Sequence, residues 1–285
     1  MIKITECPRD AMQGIKQQIP TALKIEYINQ LLKVGFDTID FGSFVSPKAI
    51  PQMQDTAEVL ENLDLSSGNS KLLAIIANAR GAQDACAFAE IDYLGFPFSI
   101  SETFQQRNTN SSIQESLLRV EEIQKLCRRN KKKLLVYISM AFGNPYGDNW
   151  HADIAIDWCK KLHALGITEL ALADTTGSST PESITQLFSA LIPELGGVNF
   201  RAHLHSTKEK SPEKIVAAYK SGCTNFDVAI HGFGGCPMAT EELTGNIATE
   251  DLIEFCNSHK IETGINQDEL KKAYEFSWKI FNEYH

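Results

Sequence analysis

Three things are missing from these 285 residues: a C-x-x-C pair, a long apolar run, and a glycine-rich G-x-G-x-x-G turn after the first apolar segment. The longest apolar stretch, Leu72 to Ala77, falls far short of the ~20 residues a membrane helix needs. Seven cysteines are an odd number with no C-x-x-C spacing. That excludes a four-cysteine structural zinc site and, with no export signal at the N-terminus, predicts reduced thiols and a cytoplasmic location or an organelle matrix. Positive charge is also scarce: 27 Lys and Arg against 36 Asp and Glu leave a net charge of -9. Little here would neutralise a run of phosphates, so neither nucleic acid nor membrane is an expected partner. The basic cluster Arg128 to Lys133 reads as a solvated helix end with its loop. Without the glycine fingerprint, an open dinucleotide-binding sheet is disfavoured.

What is present is an alternation of short apolar runs with helix-patterned segments, repeated about eight times. Strands are predicted at Lys3–Cys7, Thr38–Phe41, Leu72–Ile76, Ile91–Phe96, Leu134–Ser139, Glu169–Ala173, Asn199–His203 and Asn225–Ala229. Their near-continuous apolar character suits parallel strands buried on both faces. Helical patterns lie between them, among them Thr21–Val34, Ser111–Arg129, Ala152–Leu165 and Pro181–Leu195, with Gly35, Gly166 and Gly222 as stop signals. The fold class expected is α/β, a (β/α)8 TIM barrel forming one domain over residues 1–285, with an extra C-terminal helix at Asn266–Tyr284 packing across it.

In such a barrel the polar residues just after each strand face the active site. The first strand is followed by Arg9, Asp10 and Gln13. The second ends in Asp40, with Ser43, Ser46 and Lys48 beyond. Strand six runs into Asp174, Thr175 and Gly177, strand seven into His203-Leu204-His205, and strand eight into Gly234-Gly235-Cys236-Pro237 and Asn246. Residues i and i+2 of a strand point to one side, so both imidazoles can converge on one ion, with Asp10 facing them. The bland alternative is two strand-end histidines bonded to neighbouring loops. Imidazoles with carboxylate and amide oxygens suit Mg2+, Mn2+ or Fe2+, and also Zn2+. Arg9 reads either as half of a rim salt bridge or as a cation that stabilises developing negative charge. Cys236, in a glycine-rich loop, is either a packed small hydrophobe or an acid or base on a hinge.

Together these residues resemble the DRE-TIM metallolyases, and within them the 3-hydroxy-3-methylglutaryl-CoA lyases. The resemblance rests on Cys7-Pro8-Arg9-Asp10 with Gln13, Ser43-Phe44-Val45-Ser46-Pro47-Lys48, Ser101-Glu102-x-Phe104 with Asn108, and Asp174-Thr175. It continues in His203-x-His205, Gly234-Gly235-Cys236-Pro237 and Gly245-Asn246. It implies cleavage of an acyl-CoA substrate, 3-hydroxy-3-methylglutaryl-CoA, into acetyl-CoA and acetoacetate, with a homodimer as a partner state. By the same resemblance Asp10, His203, His205 and Asn246 hold a divalent cation, Mg2+ or Mn2+. Arg9, Asp40, Asp174, His203 and Cys236 serve catalysis, with His203 or Asp174 as base and Cys236 managing a proton. Gln13, Ser43, Lys48, Asn108 and Thr175 bind substrate. The chain departs from the pattern at Asp40, where the lyases carry Glu; at Ser206, where an acid follows the second histidine; and at Asn144, in place of a second cysteine. These departures leave open a related lyase or aldolase acting on another 3-hydroxyacyl-CoA or 2-oxo acid, and a barrel that only binds a ligand.

Overall fold

The computed structural model describes residues 1–235 and 244–284. Its strands are β1 (Lys3–Glu6), β2 (Thr38–Ser43), β3 (Lys71–Ile75), β4 (Ile91–Ser99), β5 (Lys133–Ser139), β6 (Glu169–Asp174), β7 (Asn199–Leu204) and β8 (Asn225–Val228). They pair in sequence order, each parallel to the next, and β8 returns to β1 to close the barrel. The helices are α1 (Pro8–Gln13), α2 (Thr21–Leu32), α3 (Thr56–Glu61), α4 (Ala79–Cys86), α5 (Glu102–Thr109) and α6 (Ile113–Arg129). They continue with α7 (Ala152–Ala164), α8 (Pro181–Glu194), α9 (Ser211–Lys220), α10 (Thr249–Ser258) and α11 (Gln267–Tyr284).

Local chemistry explains the boundaries. Ser112 and Glu115 form a capping box that starts α6, and Thr180 does the same for α8 with Ser183, ahead of Pro181 at the first helical position. Gly35, Gly166 and Gly222 close their helices at φ of 92°, 82° and 93°, a region costly for residues with a Cβ. The register of β2 against β3 slips between Asp40 and Gly42, a bulge of the kind that re-aims side chains next to sites.

The apolar core is divided. A large cluster, including Ile4, Ile39, Phe96, Val136, Leu172 and Phe226, lies between strands and helices. A smaller one, Leu73, Tyr93, Leu135, Tyr137 and Ala171, is separate from it. Polar groups join the strands as well: the Arg201 guanidinium donates to Thr5 Oγ1 at 2.6 Å and lies 3.9 Å from both Glu169 and Asp227.

The last helix packs against α2, with the Phe276 ring stacked on Tyr27 at 6.1 Å and Phe281 edge-on at 6.3 Å, and against the segment after β8, with the Trp278 ring 3.9 Å from the His231 ring. One expectation needs adjusting: the basic cluster is not wholly solvated, because Lys132 Nζ donates to the Phe88 and Ala89 carbonyls and Lys133 pairs with Glu169. No described helix is long and apolar enough to cross a membrane.

Candidate active site

The first turn after β1 is α1, with Pro8 at its first position. This short helix places Arg9 and Asp10 side by side in the barrel mouth, both buried. Arg9 Nε donates to Asp40 Oδ1 at 3.2 Å and Oδ2 at 3.1 Å, Nη2 also meets Asp40, and Nη1 reaches Asp10 Oδ1 at 2.9 Å. The guanidinium is therefore held between two carboxylates. Gln13, one turn further along α1, donates to the same Asp10 oxygen at 2.7 Å.

The opposite wall comes from β7. His203 Nε2 and His205 Nε2 lie 3.3 Å apart. Asp10, His203 and His205 each offer one donor atom, all within 4.8 Å of one another. Nitrogen atoms this close need either a proton or a cation between them, and a nearby carboxylate favours a cation. Asn246 completes the group. Its backbone bridges to His205, and its Nδ2 donates to Asp10 Oδ2 at 2.6 Å and to the Phe233 carbonyl at 2.9 Å. Asn246 Oδ1 and His205 Nδ1 are buried without a hydrogen-bond partner. A half-turn of the amide presents the oxygen to the same space. The donor set thus fits a divalent cation. Gly234 approaches bare: a Cβ there would stand 2.5 Å from Asn246 Nδ2 and 3.0 Å from Asp10 Oδ2.

Electrostatics follow from burial and these partners. Burial alone would raise the Asp10 carboxyl, but Arg9, the two imidazoles and the Asn246 amide outweigh it and hold it down at about 2. Asp40 shares the same arginine, yet burial, with Asp10 and Asp227 nearby, pushes it up to about 6. His205 is driven down to about 4, by burial first and His203 second. For His203 burial is overcome by Asp227, which raises it.

The chamber beside this group has a volume of about 180 Å³. Arg9, Asp10, Gln13, Ser43, Asn108, Thr175, His203 and His205 all line it, together with the apolar side chains of Val45, Ile50, Ile75, Pro97 and Phe104. Lys48 does not line it and is exposed on the rim. Asp174 is the clearest correction. Its carboxylate is buried against Lys214 Nζ at 2.9 Å and accepts from the Ser179 amide and hydroxyl, so it is no base open to the chamber. Ser206 turns the other way, donating to the Thr207 carbonyl and facing a separate cavity. Asn144 caps its own loop, its Oδ1 accepting from Tyr146 N and Asp148 N. Cys236 lies outside the described residues.

Three side chains at or beside the site escaped sequence reasoning. Asp227 Oδ2 stands 3.3 Å from His203 Nδ1, placed there by the β7–β8 register that aligns the two residues. An acid in the middle of a short strand, between Phe226 and Val228, was the available signal. Tyr137 lines the chamber with its ring edge-on to His203 at 5.3 Å and its hydroxyl unpartnered. Lys214 lies on α9, where its position gives no sign in the sequence of its contact with Asp174.

Comparison with known proteins agrees with this geometry. The profile of the HMGL-like family matches residues 2–276. The cytoplasmic 3-hydroxy-3-methylglutaryl-CoA lyase of Rattus norvegicus is 34% identical over 283 residues, covering 99% of this chain and 82% of that protein. The mitochondrial hydroxymethylglutaryl-CoA lyase of Gallus gallus is 34% identical over 284 residues, covering 99% and 94%. Among solved structures, an HMG-CoA lyase from Acinetobacter baumannii in complex with coenzyme A and 3-methylmalate superposes with a TM-score of 0.92 at 31% identity, covering 99% of this chain and 92% of that one. The HMG-CoA lyase from Brucella melitensis gives 0.91 at 29% identity, with 99% of each chain covered. By sequence, by barrel and by the residues gathered at its mouth, the chain belongs to the HMGL-like family of divalent-metal-dependent carbon–carbon lyases.

Proposed function

We propose that the protein cleaves 3-hydroxy-3-methylglutaryl-CoA by a retro-Claisen reaction into acetyl-CoA and acetoacetate. The observation that carries this reading is the convergence of Asp10, His203 and His205 on one point beside the paired Arg9. Asp10, His203, His205 and Asn246 are the residues that would hold a divalent cation, Mg2+ or Mn2+. When bound, such an ion acidifies a neighbouring alcohol and fixes a carboxylate.

The chain's own side chains supply the rest. Cleavage removes the proton of the C3 hydroxyl, breaks the C2–C3 bond, and sends its electron pair into the thioester as an enolate. With Asp174 tied to Lys214, His203 is the remaining acceptor of the two weighed; its Nδ1 leans on Asp227, so Nε2 is the atom that would take the proton, giving up its place beside the ion to do so. Arg9, fixed by Asp40 and Asp10, presents a permanent positive charge where the enolate oxygen forms. Tyr137 has a free hydroxyl to offer a substrate oxygen. C2 then takes a proton, the role kept for Cys236, and the C3 oxygen becomes the ketone of acetoacetate. The apolar wall of Val45, Ile50 and Phe104 suits an acyl chain and pantetheine arm, with Asn108 at its edge. The relatives' names divide between cytoplasm and mitochondrion. Free thiols at Cys7, Cys86, Cys127, Cys159, Cys223 and Cys256 suit either reducing compartment, the cytoplasm or an organelle matrix.

The test is release of acetyl-CoA from a panel of 3-hydroxyacyl-CoA thioesters by the metal-stripped protein, with and without added Mn2+. Cleavage of the hydroxymethylglutaryl thioester, ahead of the others and dependent on Mn2+, is expected. Arg9→Met should lower kcat by about 10²–10³ with little change in KM, as for loss of a donor that acts on transition-state charge. Preference for another thioester, or full turnover without metal, would refute the assignment.

A further inference from the structure

We infer that Lys214 is a positioning residue for the cation site, holding His205 through its backbone. The inference rests on the metal reading above. The two histidines at the end of β7 are supported in different ways. His203 follows the usual arrangement, in which the ring nitrogen away from the ligand position meets a carboxylate, here Asp227 at 3.3 Å. His205 has no such support, because its Nδ1 is buried without a partner. What holds it is main chain. Lys214 Nζ donates to the His205 carbonyl at 2.7 Å, to the Gly177 carbonyl at 3.1 Å and to Asp174 Oδ2 at 2.9 Å. One buried ammonium, itself 1% exposed, thereby ties the end of β7 to the end of β6 and the turn after it.

The three acceptors use the ammonium's three donors, leaving none to spare. Asp174 is the counter-charge that lets Lys214 be buried, and the two carbonyls take its remaining protons. Strand β7 ends at Leu204, so His205 lies beyond the strand's own ladder. Its neighbour Ser206 bonds the Gly245 carbonyl at 2.9 Å on the Asn246 side. Lys214 on one flank and the Gly245–Ile247 segment on the other set the direction in which the imidazole points. Only the first is a side chain, so only the first can be removed cleanly.

The test measures metal affinity and ligand geometry rather than turnover. Metal-stripped wild type, His205→Ala, Lys214→Met and the charge-neutral double variant Asp174→Asn/Lys214→Met are titrated with Mn2+ by calorimetry. The visible spectrum of each Co2+ form is recorded, and thermal unfolding checks folding. The double variant leaves no buried unpaired charge, so it keeps the fold testable if the single variant does not fold. Binding by wild type, its loss in His205→Ala, and a roughly 10–100-fold weaker Mn2+ affinity with a shifted Co2+ spectrum in the folded double variant are expected. Wild-type affinity and an unchanged Co2+ spectrum in that variant overturn the inference alone. A wild type that binds no Mn2+ refutes the metal reading and this inference with it.

Discussion

Asp227 shows how one side chain organises another. It sits on β8 opposite His203 in the parallel register, where its carboxylate fixes the imidazole tautomer and turns Nε2 toward the chamber. Its other oxygen, Oδ1, has no hydrogen bond and faces Arg201 at 3.9 Å. Asp227→Asn keeps an acceptor for the ring but removes the charge. We expect activity and metal affinity to fall together by about 10–100-fold, while thermal stability of the metal-free protein changes little. Unchanged Mn2+ affinity in the variant would show that His203 does not depend on this partner. The residue also marks a limit of sequence reading. Asp10 and the two histidines were legible because they stand at or just past strand ends. Asp227 was not, since its meaning arises only when β7 and β8 are aligned. Asp174 shows the reverse failure: its rim position is right, but the helix lysine that occupies it comes from 40 positions away.

At the scale of elements, the strands were legible to within a residue, except that β2 and β4 run two and three residues further, because strands buried on both faces write themselves as apolar runs. The loops between them were not, because their bonding partners are distant in sequence. The start of α5 illustrates this. Ser101 is its N-cap, but a second cap is borrowed from Asp148 in the loop after β5: this carboxylate accepts from the Ser101 hydroxyl, the Thr103 amide at 3.0 Å and the Thr103 hydroxyl at 2.9 Å. An acid at a helix N-terminus satisfies free amides and meets the positive end of the dipole. The same helix carries Phe104 and Asn108 to the chamber wall. Asp148→Ala should therefore loosen α5 and raise KM for the thioester several-fold while leaving kcat near wild type. Steady-state kinetics decide this, and a fall in kcat at constant KM would count against it.

At the scale of the whole molecule, the seam between β1 and β8 carries a buried carboxyl. Glu6 accepts from the Ile230 amide at 2.8 Å and from the Thr249 hydroxyl at 2.6 Å, joining the first strand to the segment after the last and to α10. Burial, aided by Glu250, lifts its pKa from 4.5 to about 8, against the pull of its two hydrogen bonds. In the unfolded chain Glu6 loses its proton near 4.5, whereas in the folded chain it keeps it until about 8. The folded state thus binds the extra proton across this window, and stability must decline as pH rises through it. Glu6→Gln copies the protonated shape and does not titrate. Its melting temperature should fall less than that of wild type between pH 5 and pH 9. Parallel curves for the two proteins would rule the group out as the cause.

The Asp10–Asn246 contact lies near the same seam. These two side chains meet at 2.6 Å although 236 positions separate them along the chain. During synthesis, a ribosome has released almost every strand and helix before the second of them exists. A nascent chain can carry the paired arginine and both histidines and still lack the complete pocket for an ion. On the metal reading proposed above, the full donor set of four would therefore come together only late in synthesis, and an ion held there would join a residue made early to one made late.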